Sequence, residues 1–129
     1  MADHSRGRYA EHAKQLVVEV FVRDIERSLA FYQQLGFELQ SRHGDYAVLS
    51  WDGHELFLDE RPGLPPLLDD ALRVNVRIMV PDVDAYWERA LNMGAQVAAP
   101  IEDREYGLRD FTIIDPDRCG LRFGTWLRR

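Results

Sequence analysis

Displaced by 58 positions, this chain matches itself: the stretch from Leu16 to Leu39 falls on the stretch from Val74 to Val97 without a gap. Val18/Val76, Val22/Val80, Asp24/Asp82 and Gly36/Gly94 are identical pairs. Val20/Ile78, Ile25/Val83, Leu29/Trp87, Leu35/Met93 and Leu39/Val97 are apolar in both copies. A self-match at fixed spacing constrains architecture before any single residue is interpreted. Two copies are too few for a stacked array, so the chain is built from a duplicated module.

Each copy reads as strand, turn, helix. From Leu16 to Val22 side chains alternate, with Val18, Val20 and Val22 on one face and Val17, Glu19 and Phe21 on the other. Asp24 stands at an N-cap position, Ile25, Leu29, Tyr32 and Leu35 follow at helical spacing, and Gly36 provides the stop. The second copy predicts a strand over 74–80, a cap at Asp82, a buried stripe of Val83, Trp87, Ala90 and Leu91, and a stop at Gly94. Strands are then expected over 37–42, 46–51 and 55–58, with an Asp52-Gly53 hairpin turn, and over 96–98, 111–114 and 121–126. The charged stretch from Pro100 to Arg109 reads as a mobile loop. Residues 1–13 read as a polar tail, and the Pro/Gly-rich segment 61–71 as a connector between module one (16–60) and module two (72–127). Each half is thus β-α-β-β-β. A helix covers only one face of such a sheet, so the other face needs a partner or encloses a cavity. The expected fold is α+β, with tandem βαβββ modules forming a curved eight-stranded sheet around a cavity.

At 129 residues with 46% apolar content the chain can bury a hydrophobic core, and no apolar run reaches the length of a membrane span. No secretory signal is recognisable at the start and Cys119 is the single cysteine, so a cytoplasmic location is expected. A net charge of -6 repels nucleic acid and anionic membranes and attracts cationic ligands. Among 16 basic residues only Lys14 is lysine, which favours planar guanidinium contacts. His4, His12, His43 and His54 show no ligand-pair spacing, the serines lack a nucleophile-elbow context, and Asp24 and Asp82 read as caps. No catalytic residue is assigned.

Three segments, from Val22 to Tyr32 with Leu35-Gly36-Phe37, Val80-Pro81-Asp82-Val83 with Gly94-Ala95, and Asp115-Pro116-Asp117, resemble the vicinal oxygen chelate superfamily. That superfamily includes glyoxalase I, extradiol dioxygenases and bleomycin-resistance proteins, and the resemblance spans residues 16–126. It implies a glyoxalase/bleomycin-resistance fold and, in metal-dependent members, a divalent ion held by His or Glu opening each module and Glu closing it. The corresponding positions here are Val17, Asn75, Glu55 and Arg122. Val17 has no lone pair, Asn75 is a weak neutral donor, and a guanidinium at Arg122 repels a cation. Neither a metal nor another cofactor is therefore expected.

Strand alternation predicts that Val17, Glu19, Phe21, Glu55 and Phe57 from module one, and Asn75, Arg77, Met79 and Arg122 from module two, face the cavity. Glu19 and Arg77 either pair with each other or hold a ligand's polar group. Trp51, Tyr106, Phe111 and Trp126 either stack on a planar ligand or belong to the core or a dimer interface. The resemblance to the metal-free, bleomycin-resistance-like branch implies non-catalytic sequestration of a small, antibiotic-like molecule, cationic or planar, by a homodimer. A glyoxalase-type lyase, dioxygenase or thiol transferase with a displaced metal site is the alternative.

Overall fold

The structure, a computed structural model, describes residues 10–65, 72 and 74–128. The chain divides into two compact units, Met1–Leu64 and Pro65–Arg129. Most of the expected polar tail (1–9) and part of the connector (66–71) lie outside the described residues.

The first unit contains α1 (His12–Gln15), β1 (Val18–Val22), α2 (Ile25–Leu35), β2 (Glu38–His43), β3 (Tyr46–Trp51) and β4 (His54–Glu60). The second contains β5 (Asn75–Met79), α3 (Val83–Asn92), β6 (Gln96–Asp103), β7 (Leu108–Ile114) and β8 (Gly120–Trp126). The sheets are ordered β1-β4-β3-β2 and β5-β8-β7-β6, so the self-match extends to topology. In each, the first strand lies parallel to the last and the remaining pairs are antiparallel. The α+β class and the two βαβββ modules are as the repeat implied.

Helix α2 begins where Asp24 accepts hydrogen bonds from the N–H groups of Glu26 (3.1 Å) and Arg27 (3.2 Å). A second anchor comes from the sheet: the Ile25 N–H donates to the Glu60 carboxylate at 2.9 Å. The helix stops at Gly36, whose φ of 121° suits a residue without a Cβ. Ile25, Ser28, Leu29, Tyr32 and Leu35 are buried. On the facing strands Ala47, Leu49, Leu56 and Leu58 are buried too, and Tyr32 meets Phe37 edge-on with centroids 5.2 Å apart.

In α3 the repeat exchanges bulk along the stripe. Leu29 becomes Trp87 and Tyr32 becomes Ala90. Tyr86 stacks on Phe123 at 5.2 Å, Phe123 on Phe111 at 5.4 Å, and Trp87 leans on Phe111 at 5.1 Å. One stripe residue differs from expectation: Leu91 is 51% exposed. It lies about 100° round the helix from Ala90, off the stripe that Val83 and Ala90 define.

The expected mobile loop from Pro100 to Arg109 is instead a hairpin. β6 runs through Pro100, as an edge strand permits, with register shifts either side of Ala99. The hairpin's two arginines are both ion-paired, within the hairpin and to α3. Arg109 donates to Asp84 at 2.8 Å and to Asp103 at 3.1 Å, and Arg104 pairs with both Glu102 and Asp110. Arg109 holds the Asp84 carboxyl below the usual carboxylate range.

The β3–β4 turn has positive φ at both central residues, 48° at Asp52 and 85° at Gly53, as a two-residue hairpin requires. No atom lies within 4 Å of a Cβ added at Gly53. Gly53→Ala is therefore expected to lose about 1 kcal/mol through backbone strain alone. Gly63→Ala, also in open space but without a positive φ, should be neutral when the two variants are compared by urea denaturation.

Candidate functional site

Each sheet turns one face toward its own helix, and all the candidate residues but Trp51 and Phe111 lie on or beside the opposite faces. In the first unit, the ladder sets Glu19 beside Phe57 and Val48, and Phe21 beside Asp59 and Tyr46. Glu55 follows on the same face, two residues before Phe57. Tyr46 and Phe57 pack edge-to-face at 5.6 Å. Burial raises the Tyr46 phenol above its ordinary pKa, and the carboxylates of Glu19, Asp59 and Glu55 raise it further. Acidic and aromatic groups thus share one surface.

Arg61 reports on what that surface accepts. Its guanidinium lies 4.3 Å from the Phe21 ring centroid and donates to Asp59 at 3.0 Å. A flat cation over an aromatic ring, with a carboxylate at its edge, is a favourable arrangement.

In the second unit the corresponding face is built differently. Asp110 on β7 is 1% exposed. It accepts from Arg104 at 2.8 Å, from the Tyr106 hydroxyl at 2.7 Å and from Arg122 at 3.1 Å. Arg122 also donates to the Tyr106 hydroxyl, and Arg104 reaches the Pro100 carbonyl at 2.6 Å. Burial alone would push the Asp110 carboxyl up, but the bonds from Tyr106 and Arg104 and the charge of Arg122 hold it below its usual value. Gly124 makes room for this acid, since a Cβ there would come within 3.3 Å of the Asp110 Cβ.

Arg77 stands directly across the β5–β8 ladder from Arg122. With Tyr106, Leu108, Arg122 and Trp126 it lines a cleft of about 440 Å³. A second cleft, of about 660 Å³, is lined by the hairpin residues from Glu102 to Tyr106.

The expected cavity residues are therefore divided by face. Glu19, Phe21, Glu55 and Phe57 share the helix-free face in the first unit, and half-buried Val17 immediately precedes β1. Asn75, Arg77, Met79 and Arg122 share the equivalent face in the second, where Tyr106 joins Arg122. Two placements need correction. Phe111 is 0% exposed and packs on Trp87 and Phe123 beneath α3. Trp51 packs on Phe37 at 5.0 Å, on the helix side of its sheet. Both aromatics are core-facing because they follow the buried alternation of their strands, Ala47 and Leu49 before Trp51, and Phe111 with Ile113.

Residues 14–123 match the Glyoxalase family, described as the Glyoxalase/Bleomycin resistance protein/Dioxygenase superfamily. The chain belongs to that superfamily. No curated protein sequence matches it. TioX from Micromonospora sp. ML1 is similar, at 26% identity with a TM-score of 0.73 over 87% of this chain and 98% of TioX. So is a bleomycin resistance determinant encoded on the transposon Tn5, at 23% identity and a TM-score of 0.71, over 85% of this chain and 95% of that one. A bleomycin-binding protein solved in complex with bleomycin shares 24% identity, with a TM-score of 0.69 over 85% of this chain and 96% of its own. These likenesses establish the glyoxalase/bleomycin-resistance fold.

The superfamily's metal does not fit the residues at its positions. Val17 offers only hydrocarbon. The Asn75 side-chain oxygen lies against Gly120, where a Cβ would meet it at 1.9 Å. Arg122 contributes a cation paired with Asp110, with Arg77 beside it in the ladder. Glu55 alone retains a carboxylate. The disagreement is one of donor chemistry: a divalent ion needs several anionic or lone-pair donors, and two guanidiniums oppose it.

Sequence reasoning missed Asp110, Asp59, Tyr46 and Arg104. Asp110 carried a signal nonetheless, as an acid alternating with Leu108 on a strand whose partners could be sought among nearby arginines.

Proposed function

We propose that this superfamily member is a non-catalytic binding protein that sequesters a small, antibiotic-like planar cation, working as a cytoplasmic homodimer. The observation that carries the reading is the helix-free face of the first unit, where Glu19, Glu55 and Asp59 surround Phe21, Tyr46 and Phe57 and a guanidinium already rests over Phe21. The Arg61–Asp59 pair is open to solvent, so a ligand cation displaces it at little cost. Ring stacking and desolvation must then supply most of the affinity. Two further supports are the unsuitability of the superfamily's metal positions and the bleomycin bound by one structural relative.

Titration of the tryptophan fluorescence with bleomycin and with proflavine tests the proposal. Saturable quenching is expected for at least one of them, weakened about fivefold in Glu19→Gln and in Asp59→Asn, as loss of a solvent-accessible charge contact predicts. Light scattering should give twice the chain mass of 15.0 kDa. Absence of saturable binding by either probe into the high micromolar range overturns the reading. So does a near-stoichiometric metal whose removal by chelator abolishes a turnover reaction.

A further inference from the structure

We infer that the cleft of the second unit is a carboxylate-binding site for a flat, conjugated carboxylic acid, with Arg77 as its anchor and Trp126 as its stacking surface. The argument begins with charge. In the neighbouring cluster Arg104 and Arg122 are matched by Asp110 and Glu102, so those two guanidiniums are already balanced. Arg77 is the addition to that balance. It is exposed, and no carboxylate among the described residues of its unit pairs with it. It also stands in register beside Arg122, so the two like charges repel unless an anion lies between or over them. A guanidinium presents a planar pair of N–H donors that matches a carboxylate's two oxygens, which favours a carboxylate over a spherical anion.

Shape narrows the ligand further. Trp126 is 71% exposed at the edge of the cleft, an unusual position for an indole in a chain with a well-buried aromatic core. Leu108, 3% exposed, supplies an apolar surface. Tyr106 is fixed in place because its hydroxyl donates to Asp110 and accepts from Arg122, so the polar edge is preorganised and little side-chain ordering is needed on binding. A cleft of about 440 Å³ suits a ligand of one or two fused rings. One cation beside one indole on a rigid polar edge selects an acid that is both anionic and flat.

This site shares no residue with the acidic face of the first unit, so it stands or falls separately from the cation-binding proposal. Calorimetric titration of the full chain with 2-naphthoate, and with neutral methyl 2-naphthoate, tests it at neutral pH and low salt. The acid is expected to bind at one site per chain, about tenfold or more tighter than the ester. Arg77→Gln should remove that about tenfold preference, and Trp126→Ala should weaken both compounds about fivefold. Both side chains are exposed, so both variants should keep the wild-type circular dichroism spectrum. Proflavine binding should be unchanged in Arg77→Gln, which separates this site from the other. Equal affinity for acid and ester, or wild-type naphthoate affinity in folded Arg77→Gln, overturns the assignment.

Discussion

Asp110→Ala is expected to destabilise the protein by about 3 kcal/mol, the low end of the cost of breaking a buried ion pair by removing one partner. The low end applies because Arg104 and Arg122 keep some contact with water, at 18% and 28% side-chain exposure. Two guanidiniums lose their shared anion, and the Tyr106 hydroxyl loses its acceptor. The same carboxylate gives stability a definite pH dependence. Its folded value lies below the unfolded one, so its contribution is complete above the unfolded value of about 3.9 and disappears as pH falls through the folded value. Wild-type stability should therefore decline as the solution is acidified below about pH 4. Asp110→Asn, already lacking the charge, should show a shallower decline. Urea denaturation of the three proteins across pH 3–7 reads out both effects, and parallel acid profiles for wild type and Asp110→Asn would remove the cluster from the account.

Phe123→Ala is expected to cost more, about 4 kcal/mol. Phe123 is 0% exposed and lies between Tyr86 and Phe111, with interplanar angles of 11° and 16°. Truncation removes the ring's transfer free energy and leaves a cavity that two stacked neighbours cannot close by rotating, and the usual cost for buried Phe→Ala is about 3–5 kcal/mol. For a chain of this length that should lower the melting temperature by more than about 10 °C. Trp126→Ala provides the contrast: it removes a larger ring three positions away from Phe123, but from the surface, and should change stability by no more than about 0.5 kcal/mol. A loss in Phe123→Ala no larger than that in Trp126→Ala would show that the stacked aromatic trio is not what holds α3 to its sheet.

Much of the fold was legible because the repeat carries its own punctuation. Asp24 and Asp82 cap helices, Gly36 and Gly94 end them, and the apolar alternation marks which face of each first strand meets a helix. What the sequence concealed was pairing between distant charges. The segment from Pro100 to Arg109 looks like a solvated loop because its charges neutralise one another only once two strands stand side by side. Asp110 was missed because the strand was expected to begin only at Phe111. When the strand is read from Leu108, as it forms, Leu108, Asp110 and Thr112 fall on one face and Arg109, Phe111 and Ile113 on the other. Starting instead at Phe111 discards Asp110, the residue that organises the second unit's polar face. The first unit's acidic surface was half visible: Glu19 and Glu55 were identified, but Asp59 lies just past the expected end of its strand at Leu58, and Tyr46 joins the face through the β3–β4 register.

The Asp110 cluster also bears on how this chain could change over evolutionary time. Introducing a glutamate at position 122 would set a second carboxylate beside a buried one while removing one of its two arginine partners. Replacing Asp110 first would leave Arg104 and Arg122 without their common anion. Either order passes through a destabilised intermediate, so the two positions constrain each other. The network around Asp110 thus ties the identity of residue 122 to that of residue 110, whatever stands at Val17 and Asn75.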